Sequence, residues 1–358
     1  MRLIGKDEIE KIAIGAAILG TGGGGDPFIG KLMALQAVEK YGPIKLLSPD
    51  ELNDDDFIVP SAMMGAPTVM VEKVPSGEES IEAFQILGNY FEKEITATMP
   101  IEAGGVNSLI PFALAATLGI PVVDADGMGR AFPELQMVTF YLDGINASPM
   151  VLADEKRNTT LVKAIDGMWT EKIARPITMA AGGSIMNAIY PMTGKQVKDS
   201  SIHHSLTLEE KLGDIILNSK HPIDELKAEL HAIELFNGKL VDVSRHTDGG
   251  FVRGKVIFEG INDYAGSKSE LEFQNENLIC LVDGKPKCIT PDLISVLDAE
   301  TGMPITTEGL KFGMRCIVIG MPADNKWRTE AGIKAVGPRY FGYDMDFVPL
   351  EELNKEEA

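Results

Sequence analysis

Histidine, cysteine and clustered positive charge are scarce in this chain, and each scarcity excludes a class of function. There are five histidines in 358 residues, none in an H-E-x-x-H or Cys2His2 spacing, so the common zinc-hydrolase and zinc-finger patterns are missing. The three cysteines, Cys280, Cys288 and Cys316, follow neither C-x-x-C nor zinc-ribbon spacing. Three thiols cannot all pair within one chain, so they read as buried reduced thiols rather than a disulfide framework. Basic residues number 33 against 53 acidic ones, for a formal net charge of -20. No lysine or arginine cluster offsets this, so phosphate backbones and anionic lipids are repelled; neither nucleic acid nor membrane is an expected partner.

No apolar run is long enough to span a bilayer. The stretch Leu109–Val123 is broken by Pro111 and Pro121, and Ile12–Gly20 follows Asp7, Glu8 and Glu10 where a secretion signal needs positive charge. Both read as buried core elements, and a cytoplasmic location is expected. G-x-S-x-G, Walker A and S-x-x-K motifs are missing as well. Ser184 lies in a glycine-rich turn with no base beside it, a weak nucleophile.

What remains is 44% apolar and 24% charged residues, the balance of a globular chain with a real core. At roughly 100–200 residues per domain, the length suggests two domains. Ile9, Ile12, Ala13, Ala16 and Leu19 fall at helical spacing. A second helix is predicted to about Tyr41, opened by Asp26-Pro27 as N-cap and first-turn proline. Strands are predicted at 44–47, 56–64, 95–101 and 120–123, alternating with helices at 78–93 and 108–118, which implies a parallel sheet with right-handed crossovers. Residues 136–154 and 173–191 read as further strands and glycine-rich turns. Two helices are expected within 205–236, the first with Thr207 and Glu210 as a capping box. From Lys239 short Val/Ile/Phe-rich runs are punctuated by Gly249-Gly250, Asn275–Asn277 and Asp283-Gly284, a hairpin pattern.

The predicted architecture is therefore an α/β N-terminal domain with a mostly parallel sheet, plus a β-rich C-terminal domain. Its expected boundaries are 1–170 for the α/β domain, 171–237 for connecting strands and helices, 238–330 for the β-rich domain, and 331–358 for a tail returning to the first domain.

Two constellations could carry chemistry. The first is Gly20-Thr-Gly22-Gly23-Gly24-Gly25. It matches G-x-G-x-x-G literally, but a helix precedes it where the dinucleotide fingerprint needs a strand, so no nucleotide cofactor is expected. The glycines either form a tight reversal with close backbone packing or present bare amides to an anion or polar ring ahead of a helix N-terminus. Asp26 is cap or ligand. The second lies at strand ends, where open parallel sheets bind ligands. Glu102-Ala-Gly104-Gly105 with Asn107 ends one strand, and Asp124-Ala-Asp126-Gly-Met-Gly129-Arg130 ends another. Glu102, Asp124 and Asp126 together suit a general base or a divalent-metal site held by Asp124 and Asp126; singly, they suit helix caps and a Glu102–Arg130 pair. Adjacent His203 and His204 cannot point the same way, though one of them could reach a metal; His221 and His231 read as ordinary positions, and His246, in a hairpin tip, is either solvent-exposed or close to the first domain's site.

The segments Leu19–Pro27, Glu102–Gly105 with Asn107, Pro121–Arg130 and Phe341-Gly-Tyr-Asp344 resemble, in order along nearly the whole chain, the S-methyl thiohydantoin desulfurase family. The resemblance implies an N-terminal α/β and a C-terminal β-rich domain, action on cyclic ureides or thio-ureides, and hydantoinase or oxoprolinase neighbours. The matching polar positions are Glu102, Asn107, Asp124, Asp126 and Arg130. The leading expectation is a hydrolase of a hydantoin-like or S-methyl thiohydantoin-like ring, cleaving either the C–S bond or a ring C–N bond, with Glu102, Asp124 and Asp126 catalytic. Gly22, Gly23, Gly24, Gly25, Asp26, Gly104, Gly105, Asn107 and Arg130 would bind substrate, and a divalent metal ion would assist. The alternative is a non-catalytic ligand-binding or partner subunit of a hydantoinase- or oxoprolinase-type complex. A homo-oligomer is expected.

Overall fold

The computed structural model describes residues 1–66, 69, 73, 75–248 and 251–355. The expected hairpin signal Gly249-Gly250 lies outside them.

The N-terminal sheet is built around four parallel strands. Ile44–Leu47, Val122–Val123, Ala97–Met99 and Phe57–Gly65 lie side by side in that order. Residues 57–64 are buried on both faces, the pattern of a central strand covered from either side. Antiparallel strands extend both edges. Arg2–Ile4 pairs with Ile44–Leu47, while Ser184–Ala188, Met150–Ala153 and Thr159–Val162 continue beyond Phe57–Gly65.

The first helix, Lys6–Leu19, buries Ile9, Ile12, Ala13, Ala16 and Leu19, as its spacing predicts. It crosses the helix Ser205–Asn218 at very short range. A Cβ on Gly15 would sit 1.9 Å from the Glu209 carbonyl oxygen, and one on Gly213 would sit 1.9 Å from that of Lys11. The two glycines thus let the backbones touch, and they anchor residues 205–218 to the first domain.

The C-terminal sheet is antiparallel throughout, in the order Lys285–Ile289, Glu276–Val282, Lys268–Gln274, Phe251–Gly260, Ile233–Asp248, Arg315–Met321, Leu293–Asp298. It curls into a half-barrel, bringing its outer strands toward each other around Phe236, Leu240, Val256, Phe258, Leu271 and Val318. The hairpin residues behave as read: Asp283 (φ 48°) and Gly284 (φ 78°) form the two-residue turn, and Asn275 (φ 58°) makes the tight reversal before Glu276. The two-domain α/β plus β-rich architecture is thus the one the sequence predicts. Among the described residues no helix is long and apolar enough to cross a membrane.

Three local readings change. Residues 136–154 hold a short helix, Thr139–Leu142, before the strand Met150–Ala153. Residues 173–180 belong to the helix Gly167–Ala180, not to a strand. That helix contains Pro176 and buries Thr170, Ala174 and Thr178, a four-residue period carried mostly by threonine and so invisible to a hydropathy pattern. The helix Ser205–Asn218 starts after His204 rather than at Thr207, because its first turn is capped from elsewhere in the chain.

Candidate functional site

The carboxyl ends of the parallel strands, the glycine run and the C-terminal half-barrel meet around one cleft of about 690 Å³, counting the space open to solvent. Met63 and Met64 end one central strand, Ile101 and Glu102 follow another, and Asn187 projects from the added antiparallel strand. Gly23 and Gly24 form one wall, and Asn275, Glu276 and Glu308 reach in from the second domain. This is where ligands bind in open α/β sheets.

Glu102 is held rigidly and only 6% exposed. Asn107 Nδ2 donates to Glu102 Oε1 at 2.6 Å, and Asn107 Oδ1 accepts from the Met63 amide at 2.8 Å. Burial pushes the Glu102 carboxyl up to about 7, against the stabilising Asn107 and Phe132 donors; the nearby Asp126 carboxylate adds to the rise. Glu276, 3% exposed, is pushed well above the ordinary glutamate range by burial and then by the Glu102 charge, with Arg130 opposing. Among the described residues its Oε2 has no hydrogen-bond partner. Burial also raises Glu308. The cleft therefore pairs one carboxyl raised to about 7 with a second that burial and the first one's charge both push upward.

The glycine run serves as a packing junction. Cβ atoms on Gly23 and Gly24 would lie 2.2 Å from Glu276 Oε1 and 2.7 Å from the Gly104 Cα. Gly105 is equally constrained, 2.1 Å from the Gly25 oxygen. The amides of Asn277 and Thr307 donate to the Thr21 and Gly22 carbonyls at 2.8 Å each, and the Val106 amide to that of Gly24 at 2.9 Å. The run is thereby clamped between both domains while Gly23 and Gly24 face the cleft. Asp26 caps the helix Pro27–Tyr41 through the Phe28 amide at 2.9 Å.

The remaining acidic candidates take other places. Asp124 receives the Thr207 amide at 3.0 Å and the Thr207 hydroxyl, with His204 Nδ1 at 3.4 Å. It is the distant cap of the helix Ser205–Asn218. Asp126 Oδ2 accepts the Met128 and Gly129 amides at 2.7 Å each, and burial pushes this carboxyl up to about 7. Neither is among the lining residues that join Glu102 in the cleft. Arg130, fully buried, spends all five donors on protein oxygens: those of Ala131, Pro291, Asp292, Asn277 and the Thr21 hydroxyl. It ties the domains together and does not pair with Glu102.

Both oxygens of Asp124 and Oδ2 of Asp126 already accept protein donors, so among the described residues this pair has only Asp126 Oδ1 unpartnered for a metal. Among the described residues no three His, Cys, Asp or Glu side chains gather as a metal would require. Glu276, Glu308 and Asn187 escape a sequence reading. Glu276 sits between two asparagines that read as turn punctuation, Glu308 is one acidic residue among many, and Asn187 reads as part of a glycine-rich turn.

Fold and cleft together define a two-domain protein: an open, largely parallel α/β sheet capped by an antiparallel half-barrel, with a carboxyl-rich cleft at their junction. The chain belongs to the S-Me-THD-like family. Its N-terminal domain model matches residues 7–164 and its C-terminal domain model residues 165–350. The strand Ser184–Ala188, inside the second match, completes the first domain's sheet. A crystal structure of a protein from Chromobacterium violaceum shares the fold. It has a TM-score of 0.80 and 23% identity over 98% of this chain and 100% of that one. No curated protein matches the chain in sequence.

Proposed function

We propose that this protein is a hydrolase that cleaves the exocyclic carbon–sulfur bond of an S-methyl thiohydantoin-like ring. The observation that carries the reading is the pairing of Glu102, its carboxyl at about 7, with the more strongly raised Glu276 across one cleft. Two carboxyls whose environments push them apart supply a base and an acid from one residue type. Membership of the family supports the substrate class.

Ionised Glu102 takes a proton from water as the water oxygen bonds to the ring carbon bearing sulfur. Protonated Glu276 gives its proton to the adjacent ring nitrogen. In the second step the new hydroxyl returns its proton to Glu276 and the ring carbonyl forms. The carbon–sulfur bond breaks with its electron pair on sulfur, and Glu102 protonates the methylthiolate. The products are methanethiol and the cyclic ureide, and both carboxyls regain their starting forms.

Asn107 acts as a positioning residue, fixing Glu102 Oε1. Met63, Met64, Met128 and Phe132 supply apolar walls that raise the Glu102 carboxyl and suit a flat ring. The test is to incubate purified protein with an S-methyl thiohydantoin and follow methanethiol with a thiol reagent and the ring product by mass. Stoichiometric release of both supports the proposal. No release above that of Glu102→Gln protein overturns it.

A further inference from the structure

Asn187 stands out on grounds separate from the acid–base pair. It lies mid-strand between two neighbours, in register with Ala62 on one side and Leu152 on the other, and it is 1% exposed. Yet among the described residues neither its Oδ1 nor its Nδ2 has a hydrogen-bond partner, and the residue lines the cleft. A buried primary amide left unpaired at both ends is costly, and native proteins keep such groups chiefly where a ligand or bound water completes them. Ala62, a small residue beside it and also lining the cleft, leaves room for a flat partner. One amide satisfies another in full when the partner presents an N–H and a C=O on adjacent ring atoms.

The charges around Asn187 narrow the partner further. Glu102, Glu134, Glu276 and Glu308 line the cleft, and Arg175 is the sole cation among the described lining residues. Arg175 is already engaged by Glu171 Oε1 at 2.6 Å and by the Pro133 carbonyl at 3.0 Å. An anionic ring substituent would find carboxyls without a free counter-charge.

We infer that Asn187 is the specificity-determining residue of the cleft: it pairs with the N–H/C=O edge of an uncharged cyclic amide, and a lining whose one described cation is already bound to Glu171 disfavours rings that carry a carboxylate. The inference rests on the reading of this cleft as the substrate site, but its test measures binding alone. Calorimetry of the full-length protein would use four probes: hydantoin, hydantoin methylated on both ring nitrogens, hydantoin bearing an acetate side chain, and succinimide.

The expected result is binding of hydantoin or succinimide, weakened at least about tenfold by methylation or by the acetate. In Asn187→Leu protein the preference for the N–H ring disappears, while the melting temperature stays at or above that of the parent because two unpaired polar atoms are removed. Should the leucine variant fail to fold, Asn187→Ser must show the same loss of preference. Equal binding of hydantoin by the parent and the variant overturns the inference, as does equal binding of the acetate-bearing ring. The two proposals separate cleanly. Asn187-dependent succinimide binding without thiohydantoin turnover keeps this inference and sinks the hydrolase; turnover and binding indifferent to Asn187 do the reverse.

Discussion

Asn107 donates to Glu102 at 2.6 Å while its own side-chain oxygen accepts the Met63 amide, so a residue five positions downstream locks a cleft carboxyl that burial pushes up to about 7. The link joins two strand ends, at Met63 and at Glu102, through a single amide. It holds the carboxyl in place without neutralising it, and the hydrolytic proposal depends on that.

The raised Glu102 carboxyl has a stability signature. Its value in the folded protein, about 7, lies above the ordinary 4.5, so the folded state holds the proton more tightly. That stabilisation is complete below about pH 4.5 and is lost as pH rises through 7. Glu102→Gln removes the ionisation and can keep the Asn107 bond. The variant should unfold at higher denaturant than the parent at pH 8, by up to about 3 kcal/mol, with the gap closing at pH 5. A gap independent of pH would show that Glu102 does not titrate in this range.

Asp124 acts as a helix cap, so Asp124→Ala should destabilise the protein by about 1 kcal/mol and leave hydrolysis per folded molecule unchanged. Thermal melts and active-site-normalised rates check both halves. Loss of turnover with an unchanged melt would return Asp124 to the catalytic group.

Arg130 fills five acceptors that span both domains. Arg130→Met strands them in the interior and should cost about 3–5 kcal/mol in urea unfolding. A cost near zero would mean that the domains are joined mainly by apolar packing.

Gly23 has no room for a side chain because Glu276 Oε1 would lie 2.2 Å from its Cβ. Gly23→Ala should therefore cost about 1–3 kcal/mol, and adding Glu276→Ala should recover part of the loss. A double-mutant cycle measures the coupling.

The sequence pattern carries the architecture well where periodicity is strong, as in Lys6–Leu19 and in the alternation from Ile44 to Val123. It fails at Gly167–Ala180, whose buried face is written largely in threonine and interrupted by Pro176. At the site, Glu102, Asn107, Gly23 and Gly24 are legible because glycines and polar residues cluster at strand ends. Spacing cannot tell that Asp124 turns to a helix start more than eighty residues away, or that Arg130 is consumed by carbonyls of another domain. Those outcomes depend on long-range packing, as do the arrivals of Glu276 and Asn187 in the cleft.

The most direct test of the central claim is the pH dependence of methanethiol release from an S-methyl thiohydantoin, compared between the parent protein and Glu102→Gln. The account predicts a kcat/KM that rises with pH to a plateau, with its midpoint near 7. In the variant that limb should vanish together with a loss of at least about a hundredfold in rate. Equal rates in the two proteins, or the same rising limb in the variant, would contradict it.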